Sequence, residues 1–295
     1  MSAVWQAARA AVRRRRLQTG VVGLVVLVST MTIVVALGLL DAASAPFERA
    51  FEQQQGAQVM ATFDSAVPLP DEAGFDIGAS LGVPALTAHR ALTVAEDGPS
   101  RLRPGALDGK VVLAAGGAGA VGHAVIQLAR WAGATVISTI STPEKARLAT
   151  AAGAHHVINY REGDPAARIR EIAPDGIDIV AEVALGANLA LDLAVLRTRG
   201  TISTYANDGG KPVELDVPQN MVLNTRLQFL VLYTAGPQAR AAAAQDVAAA
   251  VRDGALPVGD EHGLPLIRFP LDRTADAHRA VESRAIGKVL VDIAS

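Results

Sequence analysis

The distribution of apolar residues divides the chain near residue 65. From Gly20 to Leu40 there is no charged residue, and Val, Leu, Ile, Ala and Gly dominate. Coiled as a helix, that stretch spans roughly 30 Å, the thickness of a bilayer core. A buried helix of a soluble domain rarely lacks a polar face over such a length. The pattern predicts a single transmembrane helix over 20–40. Residues 64–74, "DSAVPLPDEAG", bring prolines, a glycine and acids and read as a linker. Beyond residue 107 short β-branched runs alternate with amphipathic stretches. "KVVLAA" and "TVISTI" predict strands over 110–115 and 135–140. "HAVIQLARWAG" and "PEKARLATAAG" predict helices closed by Gly133 and Gly153. "HVINY", "IDIVAEV", "GTISTYA" and "LQFLVLY" follow as further strands. Apolar strands separated by helices imply a parallel sheet covered on both faces. The expected fold is α/β, a doubly wound Rossmann sheet preceded by one transmembrane helix. The expected segments are a membrane anchor over 1–64, a linker and domain remnant over 65–104, a nucleotide-binding domain over 105–260, and a closing helix and strand over 261–295.

Charge orients the first segment. Arg9 and Arg13 to Arg16 precede Gly20 with no acid among them, which predicts a cytoplasmic N-terminus for a single-pass protein. A cleaved signal peptide is the rival, with "ASA" at 43–45 as its cut site. The apolar run is too long for a signal core, and Pro46 follows that site poorly. Over all 295 residues the formal net charge is −2, which argues against a nucleic-acid partner. Cysteine is absent, so disulfides, thiol nucleophiles and thiolate zinc sites are excluded, and no metal site is expected.

The strand at 110–115 and the helix after it flank Gly117-x-Gly119-x-x-Gly122. In that setting the first glycine permits a tight turn and the second lets the backbone approach a pyrophosphate. The third brings the helix close to the strand, so that its N-terminal amides, including those of Ala120 and Val121, point at phosphates. A site for NAD ends the next strand with Asp or Glu to hold the ribose. Here it ends "STISTPEK", with Ser138, Ser141, Thr142 and Lys145, while Glu144 comes later in the helix. Hydroxyls and a lysine suit a 2′-phosphate, so NADPH is the expected cofactor. No acid/base pair stands out, and catalytic residues stay unassigned. His123, His155 and His156 read as packing or surface residues. Asp178 and Glu182, four apart on a strand, read as one carboxylate at a strand end and one at the cofactor-side edge.

Two resemblances follow from longer motifs. "LQTGVVGLVVLVSTMTIVVALGLLDAASAPFERAFEQQQGAQVMATFD" resembles the N-terminus of FtsX-like ABC transporter permeases and accounts for residues 1–64 only. "LGVPALTAHRAL", "GGAGAVG", "TPEKARLATAAGAHHVINYRE", "GIDIVAEV" and "GKVLVDI" resemble the zeta-crystallin type of NADPH:quinone oxidoreductase. That type is a zinc-independent branch of the medium-chain dehydrogenase/reductase superfamily, and the match runs from about Val67 to the end. The resemblance implies phosphates resting on Gly119 to Gly122, the adenosine phosphate meeting Ser141, Lys145 and Tyr160, and Thr87 near the nicotinamide. It implies hydride transfer to a quinone or an activated carbonyl or alkene. The strand at 225–233 should lie at a sheet edge and pair with a second copy. Family members begin with a GroES-like barrel, in whose place this chain carries its apolar segment, so impaired turnover is expected. The alternative is a non-catalytic, membrane-tethered nucleotide-binding remnant, or a permease fragment with a reductase tail. The reductase portion resembles a cytoplasmic protein, whereas the charge step places it outside.

Overall fold

The computed structural model describes residues 69–293, apart from 71–72, 208–209 and 211. The membrane helix expected over 20–40 and the permease-like segment over 1–64 lie outside the described residues. Among the described residues no helix is long and apolar enough to cross a membrane.

The first element, α1 (Phe75–Leu92), joins two helical stretches across a kink at Gly82, where φ is −5° and ψ −116°. Pro84 stands in the first turn after that kink, where its missing N–H removes no helical bond. Strands and helices then alternate: β1 (Val111–Ala115), α2 (Ala120–Trp131), β2 (Thr135–Ile140), α3 (Pro143–Ala151), β3 (His156–Asn159), α4 (Pro165–Ile172) and β4 (Ile177–Glu182). They continue through α5 (Leu185–Val195), β5 (Leu196–Thr204), α6 (Val217–Leu223), β6 (Arg226–Phe229) and α7 (Pro237–Arg252). Six parallel strands lie in the order β3-β2-β1-β4-β5-β6. This is the doubly wound sheet expected from the alternation. The order reverses between β1 and β4, the place where such sheets open a crevice at their carboxyl ends.

Strand periodicity divides the core into two layers. Val112, Ala114, Val136, Ile179 and Ala181 face the layer that also holds α1, α2 and α7. Leu113, Ile137, Ile158, Val180 and Ile202 face the opposite layer, with Ile169 of α4 and Leu193 of α5. Ala85, Ala88, Ala91 and Leu92 of α1 are fully buried, so the stretch expected as a linker and remnant supplies a wall of the core.

Two elements differ from the expectation. The apolar run 227–233 is strand only to Phe229, because a single turn of 3-10 helix occupies Leu232–Thr234. The C-terminal part holds two strands. β7 (Leu266–Pro270) pairs in parallel with β8 (Lys288–Asp292) across helix α8 (Thr274–Glu282). "LPLIRFP" hid its strand because the flanking prolines read as breakers.

Leu113 sits on the central strand with 1% exposure. Leu113→Ala should cost about 2–5 kcal/mol of unfolding free energy in the full chain. Leu271→Ala, at a site 58% exposed, should change stability by about 0.5 kcal/mol or less. Urea unfolding of both variants checks this, and equal losses would contradict the described packing.

Candidate functional site

Between β1 and α2 the backbone turns on Gly116, whose φ of 68° is reached without strain only by glycine. The Gly119 amide closes the turn on the Gly116 carbonyl at 2.9 Å, and the Gly116 amide bonds the carbonyl of Thr139 on β2 at 3.1 Å. A Cβ on Gly117 would collide with Ser138 Oγ and lie 2.8 Å from Ile126 Cδ1. A Cβ on Gly122 would collide with the Gly116 carbonyl oxygen and lie 2.9 Å from Gly117 Cα. All side chains are therefore excluded from the space where α2 meets the turn. Gly119 is the residue before α2 and offers no side chain to cap the helix. The first-turn amides of Ala120, Val121 and Gly122 form an uncapped, positive helix end of the kind that binds phosphate.

A second group gathers beyond the ends of β2 and β3. The Tyr160 amide bonds the Ile140 carbonyl at 3.1 Å, which sets Tyr160 beside the chain leaving β2 at Ser141. Thr142 caps α3, its hydroxyl accepting from the Lys145 amide at 3.3 Å. That bond commits Thr142 to the helix; Ser141 and Lys145 beside it are half-buried, and Tyr160 is exposed. Ser138 is corrected: it is fully buried within β2 and donates to the Ala114 carbonyl at 3.1 Å, so it fills the space beneath Gly117 instead of meeting a phosphate. Parallel neighbouring strands place the glycine turn and this corner at the same, carboxyl end of the sheet. Thr87 sits apart from both, in a cavity of about 220 Å³ lined also by Arg90 and by residues that follow β6, among them Leu230 and Thr234.

The remaining candidates resolve into structure. Asp178, at the entry of β4, accepts from Lys110 Nζ at 3.1 Å, Arg197 Nη1 at 2.8 Å and the Val111 amide at 2.9 Å. Glu182 ends the same strand, fully buried, and accepts from the Ala184 amide and from Asn188 Nδ2 at 2.9 Å. The two carboxylates stand at opposite ends of β4, which bears out the reading that separated them. Burial raises the Glu182 carboxyl above its usual range, against the opposing effect of its hydrogen bonds. Asp192 of α5 is pushed well above its range by burial and by the charge of Glu182 beside it. Two buried carboxyls in contact are stable when they share a proton.

His123 Nε2 lies 2.8 Å from the His262 carbonyl oxygen, which assigns the proton to that nitrogen, and burial holds the imidazole down to about 4. His155 accepts the Val136 amide at 2.9 Å through Nδ1. His123 is a packing residue and His155 a surface one, as expected. One feature had no sequence signal. Asp246 of α7 is buried and accepts from Leu102 N at 2.7 Å and Arg101 Nη2 at 2.5 Å, with His89 Nε2 of α1 at 2.8 Å. Burial works to raise this carboxyl, but the bonds from His89 and Arg101 outweigh it and hold it below its usual range. The contact fixes α1, and with it Thr87, against α7. Among the described residues no group of three His, Cys, Asp or Glu could hold a metal ion.

A doubly wound sheet with a glycine turn before an uncapped helix defines a dinucleotide-binding domain. Residues 120–249 match the family described as zinc-binding dehydrogenase. The quinone oxidoreductase of Sus scrofa is 30% identical over 235 residues, covering 79% of this chain and 67% of that protein. The chain belongs to the quinone oxidoreductase family. Among solved structures, the Escherichia coli quinone oxidoreductase complexed with NADPH is 25% identical with a TM-score of 0.62, covering 77% of this chain and 68% of that one. The crystal structure of 2-haloacrylate reductase is 28% identical with a TM-score of 0.66, covering 78% and 69%. The chain spans about two thirds of the length of its curated relatives, 64% for the quinone oxidoreductase of Lama guanicoe.

The depressed imidazole of His123 makes stability depend on pH. As pH falls from 6.5 toward about 4, the unfolded chain takes up a proton that the folded imidazole refuses. Its contribution is complete above about 6.5 and lost progressively below, to a limit of about 3 kcal/mol. His123→Gln keeps a donor for the His262 carbonyl but cannot titrate. Urea midpoints of the full chain should therefore fall less between pH 6.5 and 4.5 in this variant than in the parent. Identical slopes would contradict the assignment.

Proposed function

We propose that the chain binds NADPH and uses it to reduce a quinone or another activated carbonyl or alkene. The observation that carries this reading is the glycine turn, where no side chain fits at Gly117 or Gly122, placed before the uncapped end of α2. In this reading Gly117, Gly119, Ala120, Val121 and Gly122 seat the pyrophosphate through backbone amides. Ser141, Lys145 and Tyr160 hold the 2′-phosphate, and Thr87 borders the nicotinamide end. When bound, NADPH supplies the hydride. What the protein adds is placement of the acceptor and exclusion of water from the transfer. The name and ligand of the Escherichia coli structure support this assignment.

Reversing the charge at Lys145 tests the cofactor choice. Lys145→Glu should weaken NADPH by about 1–3 kcal/mol and leave NADH nearly unchanged. Titration of the full chain, followed by nicotinamide fluorescence, reads both affinities, and equal affinities in the parent would overturn the assignment. Turnover is a separate test, because a third of the relatives' length lies outside the matched span. NADPH oxidation with a benzoquinone and a naphthoquinone measures it. Tight NADPH binding without turnover would favour a non-catalytic nucleotide-binding role.

A homodimer through 225–233 belongs to the same proposal. β6 ends the sheet, and Phe229, Val231 and Tyr233 near it are 66, 60 and 54% exposed. An open apolar edge favours pairing with a second copy. Phe229→Asp should shift the full chain toward monomer in sedimentation velocity, and an unchanged profile would contradict pairing there. Membrane tethering rests on the uncharged run 20–40. Protease protection of an N-terminal tag in intact cells, with loss of a C-terminal tag, is the outcome the arginine cluster predicts.

A further inference from the structure

The cavity beside Thr87 contains a charge that the described residues leave unanswered. Arg90 lies one helical turn beyond Thr87 on α1, so both side chains reach the same face and both line the cavity of about 220 Å³. Arg90 is half-buried, and among the described residues it makes no ion pair. Its charged neighbour is Arg226 of β6, which disfavours the Arg90 cation, as burial does. The other arginines that reach inward or across the surface show what a paired guanidinium looks like here. Arg101 meets Asp246 at 2.5 Å, Arg147 meets Asp260 at 2.8 Å and Arg197 meets Asp178 at 2.8 Å. A guanidinium stays charged in a protein, so Arg90 carries its charge into the cavity without a counterion among the described residues. Polar groups complete the lining: the Thr87 hydroxyl, the Gln228 amide and the Thr234 hydroxyl, which also donates to the Val231 carbonyl at 3.1 Å. The lining contains no Asp or Glu. A planar, two-oxygen anion suits the guanidinium fork, which binds carboxylates through two parallel hydrogen bonds.

We propose that this cavity is an anion subsite in which Arg90 holds the carboxylate of the acceptor beside Thr87. The assignment rests on the reading that Thr87 borders the nicotinamide. It narrows the acceptor from any activated alkene or carbonyl to one that bears a carboxylate. A haloacrylate, the substrate class named for one structural relative, has this chemistry.

Benzoate and benzamide test the proposal, because they share a shape and differ in charge. Ligand-observed NMR on the full chain, with and without saturating NADPH, should show benzoate binding about tenfold more tightly than benzamide, the order of one charge-assisted contact. Arg90→Gln should abolish that preference, and Arg90→Lys should retain part of it, since the charge persists without the fork. Arg226→Gln should weaken benzoate binding less than Arg90→Gln does if Arg90 is the anchor. Equal binding of the two probes by the parent would overturn the subsite, as would an undiminished benzoate preference in an Arg90→Gln protein with the parent's unfolding midpoint. The parent comparison needs no variant and decides the matter even where Arg90→Gln fails to fold. Charge selectivity absent while NADPH still binds overturns the anion subsite alone. Failure of NADPH to bind overturns the cofactor reading, and the probe comparison without NADPH still decides the subsite.

Discussion

An added methyl group at Gly122 would run into the carbonyl oxygen of Gly116, and the arrangement of the cofactor side depends on that forbidden space. Because nothing but hydrogen stands there, the first turn of α2 lies directly against the turn that leaves β1. The amide of Gly116 can then reach Thr139, which locks the turn to β2. Ser138 fills the space below Gly117, and Ile126 seals it from the helix side. Any larger residue at these positions would lever α2 away from the sheet and tilt its amides off a common focus. The uncapped helix end thus follows from packing before it serves any ligand.

How much of this was legible in the chain depended on the range of the interaction. The six strands, their helices and the glycine turn are written in neighbouring residues: β-branched runs, glycine at fixed spacing, proline at the first turn of α3. Ser138 and Ser141 look alike in sequence, yet one faces the sheet interior and the other leaves the strand. The choice turns on where β2 ends, at Ile140, which local pattern locates only within a few residues. The bond between His89 and Asp246 joins residues 157 apart in sequence. No local pattern could announce it, because Asp246 lies in an alanine-rich helix where an acid reads as solvent-facing. The kink at Gly82 was equally hidden, since one glycine before a proline also suits a plain loop.

Buried acids meet two different fates in this molecule. Asp178 and Asp246 are surrounded by donors and cations, and the bonds from His89 and Arg101 hold the Asp246 carboxyl below its usual range. Glu182 and Asp192 have each other, the amides of Val183 and Ala184, the Asn188 side chain and a low-dielectric surrounding, with no cation among the described residues, so their mutual repulsion is relieved by retaining a proton. The pair sits where β4 gives way to α5, and a Cβ added to Gly116 would lie 3.3 Å from Cγ1 of the adjacent Val183. The electrostatics of this buried pair and the shape of the glycine turn therefore occupy one small region of the switch point.

The last strands carry a different consequence. Two parallel strands and one short helix bury too little to persist by themselves. Arg268 of β7 reaches both Asp292 of β8 and Asp76 at the start of α1, bridging the chain's late residues to the element that carries Thr87. Order at the C-terminus is thereby borrowed from a helix almost 200 residues earlier in the chain, 192 by the separation of that ion pair. A ribosome making this chain extrudes the entire six-stranded sheet before the residue that completes the clasp. Closing the clasp is then a docking event on a preformed surface, sensitive to ionic strength in a way that the collapse of the alanine- and valine-lined core is not.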